Sequence, residues 1–305
     1  MQNRVMNIQK QVLVTGEILF DIFPQERVLG GAPFNFAYHL TRFGLPVIFC
    51  SRVGDDPPGR EILERLAAEG ISREGIQVEK GGTTGRVQVE LRKEGDHSFT
   101  IMEDVAYDHI QLDPILQAGF IENSRLIYVG TLIQRTVEGF STVQGVLARR
   151  PENCRVFYDL NLRQHFYTRE VVRTTLEQTD ILKCNREEME TLQRLFFRKD
   201  PDLGMPERLM EGFGLEMVAV TDGEQPAFLY TRKQKFRSDP IPSDDIVDTV
   251  GGGDAFSAVM AYGLFRGWEP GHILREAVQF AGRICRNRGA IPDSRAVYAD
   301  FGGKT

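Results

Sequence analysis

The chain has 305 residues, enough at roughly 150 residues per domain for one large domain or two modest ones with a full hydrophobic core. Apolar residues make up 41% and charged residues 26%, a globular balance that excludes disordered, collagen-like and mucin-like chains. Lys and Arg number 37 against 43 Asp and Glu, a net charge of -6, so no global basic field exists to hold nucleic acid or an anionic membrane, and neither is an expected partner. The cysteines, Cys50, Cys154, Cys184 and Cys285, include no Cys-x-x-Cys pair, which argues against a zinc cluster or a disulfide framework. The opening apolar run, Val12 to Val14, is soon interrupted by Gly16 and Glu17. It is too short for a signal-peptide core or a membrane span, and a reducing cytoplasm is the expected compartment.

Along the chain, apolar runs of strand length recur at 12–16 (VLVTG), 46–51 (PVIFCS), 126–130 (LIYVG), 156–160 (VFYDL), 181–185 (ILKCN) and 217–222 (MVAVTD). Helical patterns lie between them. PGREILERLAAEG (58–70) puts Ile62, Leu63, Leu66 and Ala67 on one face, pairs Glu61 with Arg65, and stops at Gly70. Weaker helical patterns occupy 137–148, 186–196 and 273–285. Such alternation predicts an α/β fold with a mostly parallel central sheet covered by helices on both faces. Two stretches depart from it. Residues 18–29 read as strand, and 84–102 as two strands, with Val87, Val89 and Leu91, then Phe99 and Ile101, alternating around a turn at Glu94, Gly95 and Asp96. Together they predict a small β appendage inserted into a single α/β domain spanning 1–305. Ligands of open parallel sheets bind beyond the carboxyl ends of the strands, where this chain places Gly16, Glu17, Ser51, Gly130, Asp159, Asn161, Asn185, Asp222 and Gly223.

The motifs follow in the same order. Asp21 in GEILFD could take two adjacent hydroxyls with its two oxygens, or be a plain strand-edge acid. In LGGAPFN, Gly30 and Gly31 allow close backbone approach and Asn35 follows on the first helical turn, which serves either hydroxyl binding or a tight turn before a helix. In YDLNLR, Asp159, Asn161 and Arg163 share one side if the strand continues, and Arg163 suits a carbonyl, carboxylate or phosphate. Asn185 and Glu188 in NREE have capping-box spacing, which also aims them at the strand-end crevice. Finally, DTVGGGDAFSAVM runs Gly251, Gly252 and Gly253 into a helical pattern. Its unshielded N–H groups and positive dipole end can hold an anion, with Asp254 alongside to accept a proton from an attacking hydroxyl. Otherwise Asp254 is an ordinary first-turn carboxylate. The full GxxxxGK[ST] phosphate loop, GxGxxG, HExxH and GxSxG are all absent, the GKT at 303–305 having Tyr298 where that loop begins with glycine, and the five histidines show no metal-ligand spacing.

Taken together, GGAPFN, DLNLR, NREE, VTDG and DTVGGGDAF resemble the ribokinase-like carbohydrate kinases, the PfkB family, from Gly16 to Pro292 and most closely the fructokinases. The resemblance implies a ribokinase-like fold whose β lid is formed by about 18–29 and 84–102, and phosphoryl transfer from ATP with Mg2+ to a sugar hydroxyl, fructose giving fructose 6-phosphate. It implies Asp254 as base and Gly251, Gly252 and Gly253 as anion hole. It also implies Asp21, Gly30, Gly31 and Asn35 on the sugar, and Arg163 near sugar or phosphate. Asn185, Glu188, Thr221, Gly223, Gly253 and Gly282 would serve the nucleotide, with Glu188 reaching Mg2+ through water and Asp248 a candidate ligand for K+. Small-molecule sugar and ATP are then the partners, with a homodimer through the lid. Where the family's usual loop is DTTGAGD, this chain has Val250 and Gly252, and Asp222 stands where phosphates pass, its side chain expected to point away. A 2-keto-3-deoxygluconate kinase shares the Asp-x-Asn-x-Arg run and would use Arg163 on a carboxylate. A sugar-sensing protein without catalysis would need neither Asp254 nor the glycine loop.

Overall fold

The computed structural model describes residues 10–91, 97–197, 204–241 and 246–301. Val12 and Val14 face one side of their strand and Leu13 the other, and all three are fully buried, so apolar layers must cover both faces. That strand, β1 (Gln11–Thr15), lies inside the large sheet, which collects β4 (Val47–Gly54), β5 (Ile76–Glu79), β8 (Ser124–Gly130), β9 (Arg155–Asp159), β10 (Ile181–Asn185), β11 (Met217–Asp222), β12 (Gln225–Thr231) and β13 (Lys235–Ser238). Its order is β13-β12-β11-β10-β9-β8-β1-β4-β5, and pairing is parallel except at the β11-β12-β13 edge.

A second sheet pairs β2 (Leu19–Ile22), β3 (Arg27–Gly30), β6 (Arg86–Leu91) and β7 (His97–Ile101) in the order β3-β2-β6-β7. It occupies the two stretches that the sequence sets apart; the turn at 94–96 lies outside the described residues. Val87, Val89 and Ile101 are covered as alternation predicts, but Phe99 is 51% exposed. The single-strand reading of 18–29 becomes a hairpin, since Asp21 pairs with Val28 and Leu19 with Gly30.

The helices are α1 (Ala32–Arg42), α2 (Pro57–Ala68), α3 (Leu112–Gln117), α4 (Val137–Leu147), α5 (Arg169–Leu176), α6 (Arg186–Phe196), α7 (Met205–Phe213), α8 (Gly252–Arg266) and α9 (Pro270–Cys285). One face of the large sheet packs on α1, α2, α8 and α9 through residues such as Phe36, Ile62, Val259 and Phe280, and the other on α3 to α7 through Ile115, Val143, Val172, Leu192 and Leu209. In α2, Asp56 caps the start by accepting the Gly59 N–H, Glu61 pairs with Arg65 at 2.7 Å, and Gly70 turns left-handed after the last turn. Ile62 and Leu66 form its buried stripe, whereas Ala67 is exposed. No helix among the described residues is long and apolar enough to cross a membrane.

Candidate active site

The sheet delivers polar residues to one end. Gly130 is in register with Asp159, and Asn185 with Thr221, so the carboxyl ends of β8 to β11 form one ledge. Onto it project the N-termini of α1 and α8, whose first N–H groups have no partners within their own helices.

Asp254 sits in the first turn of α8, where its Oδ2 accepts a 2.8 Å hydrogen bond from Asn35 Nδ2 of α1. That contact unites GGAPFN and GGGD across 219 residues of chain. Asn35 is 5% exposed and its amide oxygen has no partner among the described residues, so the side chain has accepting capacity left inside the site. Desolvation lifts the Asp254 carboxyl to about 6; Asn35, Lys183 and Arg163 oppose the rise, and Asp159 adds to it. Asp254 is therefore ionised at neutral pH yet basic enough to take a proton.

The glycine loop is shaped by its neighbours. Gly251, with φ 78°, is the N-cap of α8, and a Cβ there would lie 2.3 Å from Cβ of Ala290. A Cβ on Gly252 would come 2.8 Å from Sγ of Cys285. The Gly252 N–H reaches the Thr249 carbonyl at 3.3 Å, so it is already partly engaged. Asp248 ties the loop down, its two oxygens accepting from the N–H groups of Val250 at 3.0 Å and Gly289 at 2.9 Å.

On the small sheet, Asp21 of β2 faces Gly30 of β3, where a Cβ would stand 2.8 Å from the Asp21 carboxylate. Burial raises the Asp21 carboxyl to about 6 against the opposing charge of Arg163. Gly31 caps α1 with φ 110° and packs on the Glu17 carbonyl. Arg163 does not extend β9. The strand ends at Asp159 and the chain turns through Asn161 (φ 38°) and Gln164 (φ 48°), which corrects the expectation of a continued strand. Arg163 is exposed, and its charge reaches Glu17, Asp21 and Asp254.

Thr221, Gly223, Gly253 and Gly282 line a cleft of about 220 Å3, whose walls include the apolar Ile241 and Phe256. Asn185 and Glu188 are not part of that wall. They form a capping box on α6: Asn185 accepts the Glu188 N–H, and the two Glu188 oxygens accept the N–H groups of Asn185 and Leu162, each at 2.8 Å. Asp222 pairs with Arg186 at 3.0 Å and still lines that cleft. A larger cavity of about 420 Å3, lined by Lys10, Arg125 and Arg155, lies near the opposite strand ends and shares no residue with this ledge.

Two residues of the ledge have no role assigned from the sequence: Glu17, which is placed there only at the strand ends, and Lys183, which is not singled out. Glu17 is 4% exposed, its Oε2 has no partner among the described residues, and desolvation lifts its carboxyl to about 7. Lys183, 6% exposed in the apolar run ILKCN, donates to Asp159 at 3.1 Å. A lysine inside such a run was the available signal.

The sequence pattern described as pfkB family carbohydrate kinase matches residues 9–296. The chain belongs to this family. Among relatives of the kinase, "probable fructokinase-5" of Arabidopsis thaliana is 28% identical over 306 residues, covering 91% of this chain and 92% of its own. The 5-dehydro-2-deoxygluconokinase of Geobacillus thermodenitrificans is 25% identical over 250 residues, covering 79% and 74%. The structure of Xylella fastidiosa fructokinase with bound ATP superimposes with a TM-score of 0.83 at 20% identity, covering 96% of this chain and 98% of that one, so the fold is ribokinase-like.

Proposed function

We propose that this kinase transfers the γ-phosphoryl group of ATP to a sugar hydroxyl, with fructose converted to fructose 6-phosphate as the first reading. The observation that carries it is the Asn35–Asp254 hydrogen bond, which brings the presumptive sugar-binding motif against a first-turn carboxylate flanked by glycines. Asp254 takes the hydroxyl proton, and N–H groups of Gly251 to Gly253 face the negative charge on the transferring group. Asp21, Gly30, Gly31, Asn35 and Arg163 hold the acceptor. The orphaned Glu17 and Asn35 oxygens fit a polyhydroxylated ligand, because buried acceptors without partners await donors.

The nucleotide is assigned to the cleft of Thr221, Gly223, Gly253 and Gly282, whose apolar walls suit a base and whose glycines admit phosphates. Mg2+, if bound with ATP, would neutralise phosphate charge. Among the described residues, no three His, Cys, Asp or Glu side chains converge to hold a metal ion. Asn185 and Glu188 are assigned to nucleotide and Mg2+ through water, each Glu188 oxygen keeping a lone pair beyond its one backbone bond. Asp248 retains lone pairs beyond its two backbone bonds and is the carboxylate assigned to K+. The small sheet is the lid of a single-domain enzyme working in the cytoplasm, and it closes over sugar or pairs with a second copy.

Arg163 and the relatives that phosphorylate 5-dehydro-2-deoxygluconate support a second reading, a keto-sugar acid whose carboxylate meets that guanidinium. Coupled ADP release across ketoses, aldoses, nucleosides and keto acids tests both. Fructose is expected to give the highest kcat/KM, and a keto acid exceeding it would install the second reading. No turnover on any acceptor would remove the kinase assignment and leave a sensor.

A further inference from the structure

We propose that Lys183 is a fixed cation of the phosphoryl-transfer site, standing beneath the glycine loop and stabilising the charge that develops on the transferring group. The proposal rests on the kinase reading above.

Lys183 lies on β10, yet its ammonium reaches α8: a Cβ built on Gly253 would be 3.1 Å from Nζ. Asp159 fixes it there from β9 and is itself held by Ser257 of α8 at 2.7 Å. The chain Ser257–Asp159–Lys183 thus links the beginning of α8 to the two central strands. Among the described residues the lysine donates a hydrogen bond to Asp159, and an ammonium has three N–H donors. Its position beside Gly253 gives the remaining donors a use that a purely structural ion pair lacks.

Charge balance points the same way. Asp159, Glu188 and Asp254 all act electrostatically on Lys183, and Glu17 acts on Asp254. An anion hole beside so many carboxylates repels a phosphate unless a cation is fixed among them. A well-packed apolar pair could replace a buried ion pair at little cost in stability, so stability alone is a weak reason for this one. During transfer the acceptor oxygen bonds to the γ-phosphorus as the bond to the ADP oxygen breaks, and the hydroxyl proton passes to Asp254. Lys183 neither gives nor takes a proton; it faces the negative charge as that charge spreads.

The test separates this role from neutralising Asp159. Lys183→Met alone would strand a buried carboxylate, so it is combined with Asp159→Asn, which keeps a partner for Ser257 and removes both charges. Lys183→Gln, able to hydrogen-bond Asp159 without charge, is measured beside it. With the acceptor that wild type phosphorylates, folded variants are expected to keep wild-type KM values while kcat falls on the order of 100-fold. Should the double variant fail to fold, Lys183→Gln carries the same expectation. Wild-type kcat in a folded variant would show that Lys183 serves only Asp159 and would overturn the proposal. A wild type inactive on every acceptor would instead overturn the kinase reading, and this one with it.

Discussion

Glu17 shows how burial sets charge at the scale of one residue. Desolvation lifts its carboxyl from 4.5 to about 7, while a backbone hydrogen bond, Arg163 and Arg135 pull against the rise. A carboxyl raised on folding contributes stability that is complete below its unfolded value and is lost as pH climbs through the folded one, here between 4.5 and about 7. Glu17→Gln is therefore expected to melt above wild type at about pH 8 and level with it at about pH 4. Melting curves at the two pH values check this, and an equal difference at both would contradict it. Asp21 tests recognition. If it grips neutral hydroxyls, Asp21→Ala raises the sugar KM by roughly tenfold or more, because a lost hydrogen bond in a buried site costs about 1–3 kcal/mol, and leaves ATP binding intact. An unchanged sugar KM would take Asp21 out of the site. Asp21 could be singled out because it sits inside a motif, whereas Lys183 could not: within ILKCN its charge is local, but its neighbours Asp159 and Gly253 are far away in sequence.

Elements were legible where a pattern was both local and complete. The runs ILKCN and MVAVTD coincide with β10 and β11, and 186–196 with α6, because a continuous apolar strand run and a capping box at a helix start are written in adjacent residues. The β12-β13 hairpin was not predicted. It lies at the edge, where antiparallel pairing leaves many side chains partly exposed and dilutes the apolar signal. The false extension of β9 has another cause, since residues two apart share a side only while the backbone stays extended, and Asn161 adopts φ 38°. The α8 turn supplies the prediction at this scale. Gly251→Ala places a side chain at φ 78° and against Ala290, strain of about 1–3 kcal/mol that the loop relieves by shifting. Lower thermal stability and a fall in kcat larger than the rise in KM are expected. Wild-type values of both would show that the loop geometry is unimportant.

Across the whole molecule, residues from opposite ends of the chain meet because a parallel sheet gathers its carboxyl ends along one edge. The small sheet stands over the same region through β2 and β3, which carry Asp21 and Gly30. The chain's own core already covers Val87, Val89 and Ile101, but Val28 and Phe99 of this sheet stay exposed, and closing on sugar or on a second copy would cover that remaining apolar surface. Slower amide exchange in β6 and β7 with sugar, or a dimer in solution, is expected. A monomer with equal exchange in both states would contradict this.

The account turns on Asp254 as the base that meets the acceptor beside the glycine loop. Asp254→Asn keeps the shape and the contact with Asn35 but removes the basicity. With a sugar that wild type phosphorylates, kcat is expected to fall by roughly two to four orders of magnitude with sugar and ATP dissociation constants little changed. Equal turnover in wild type and Asp254→Asn would contradict it.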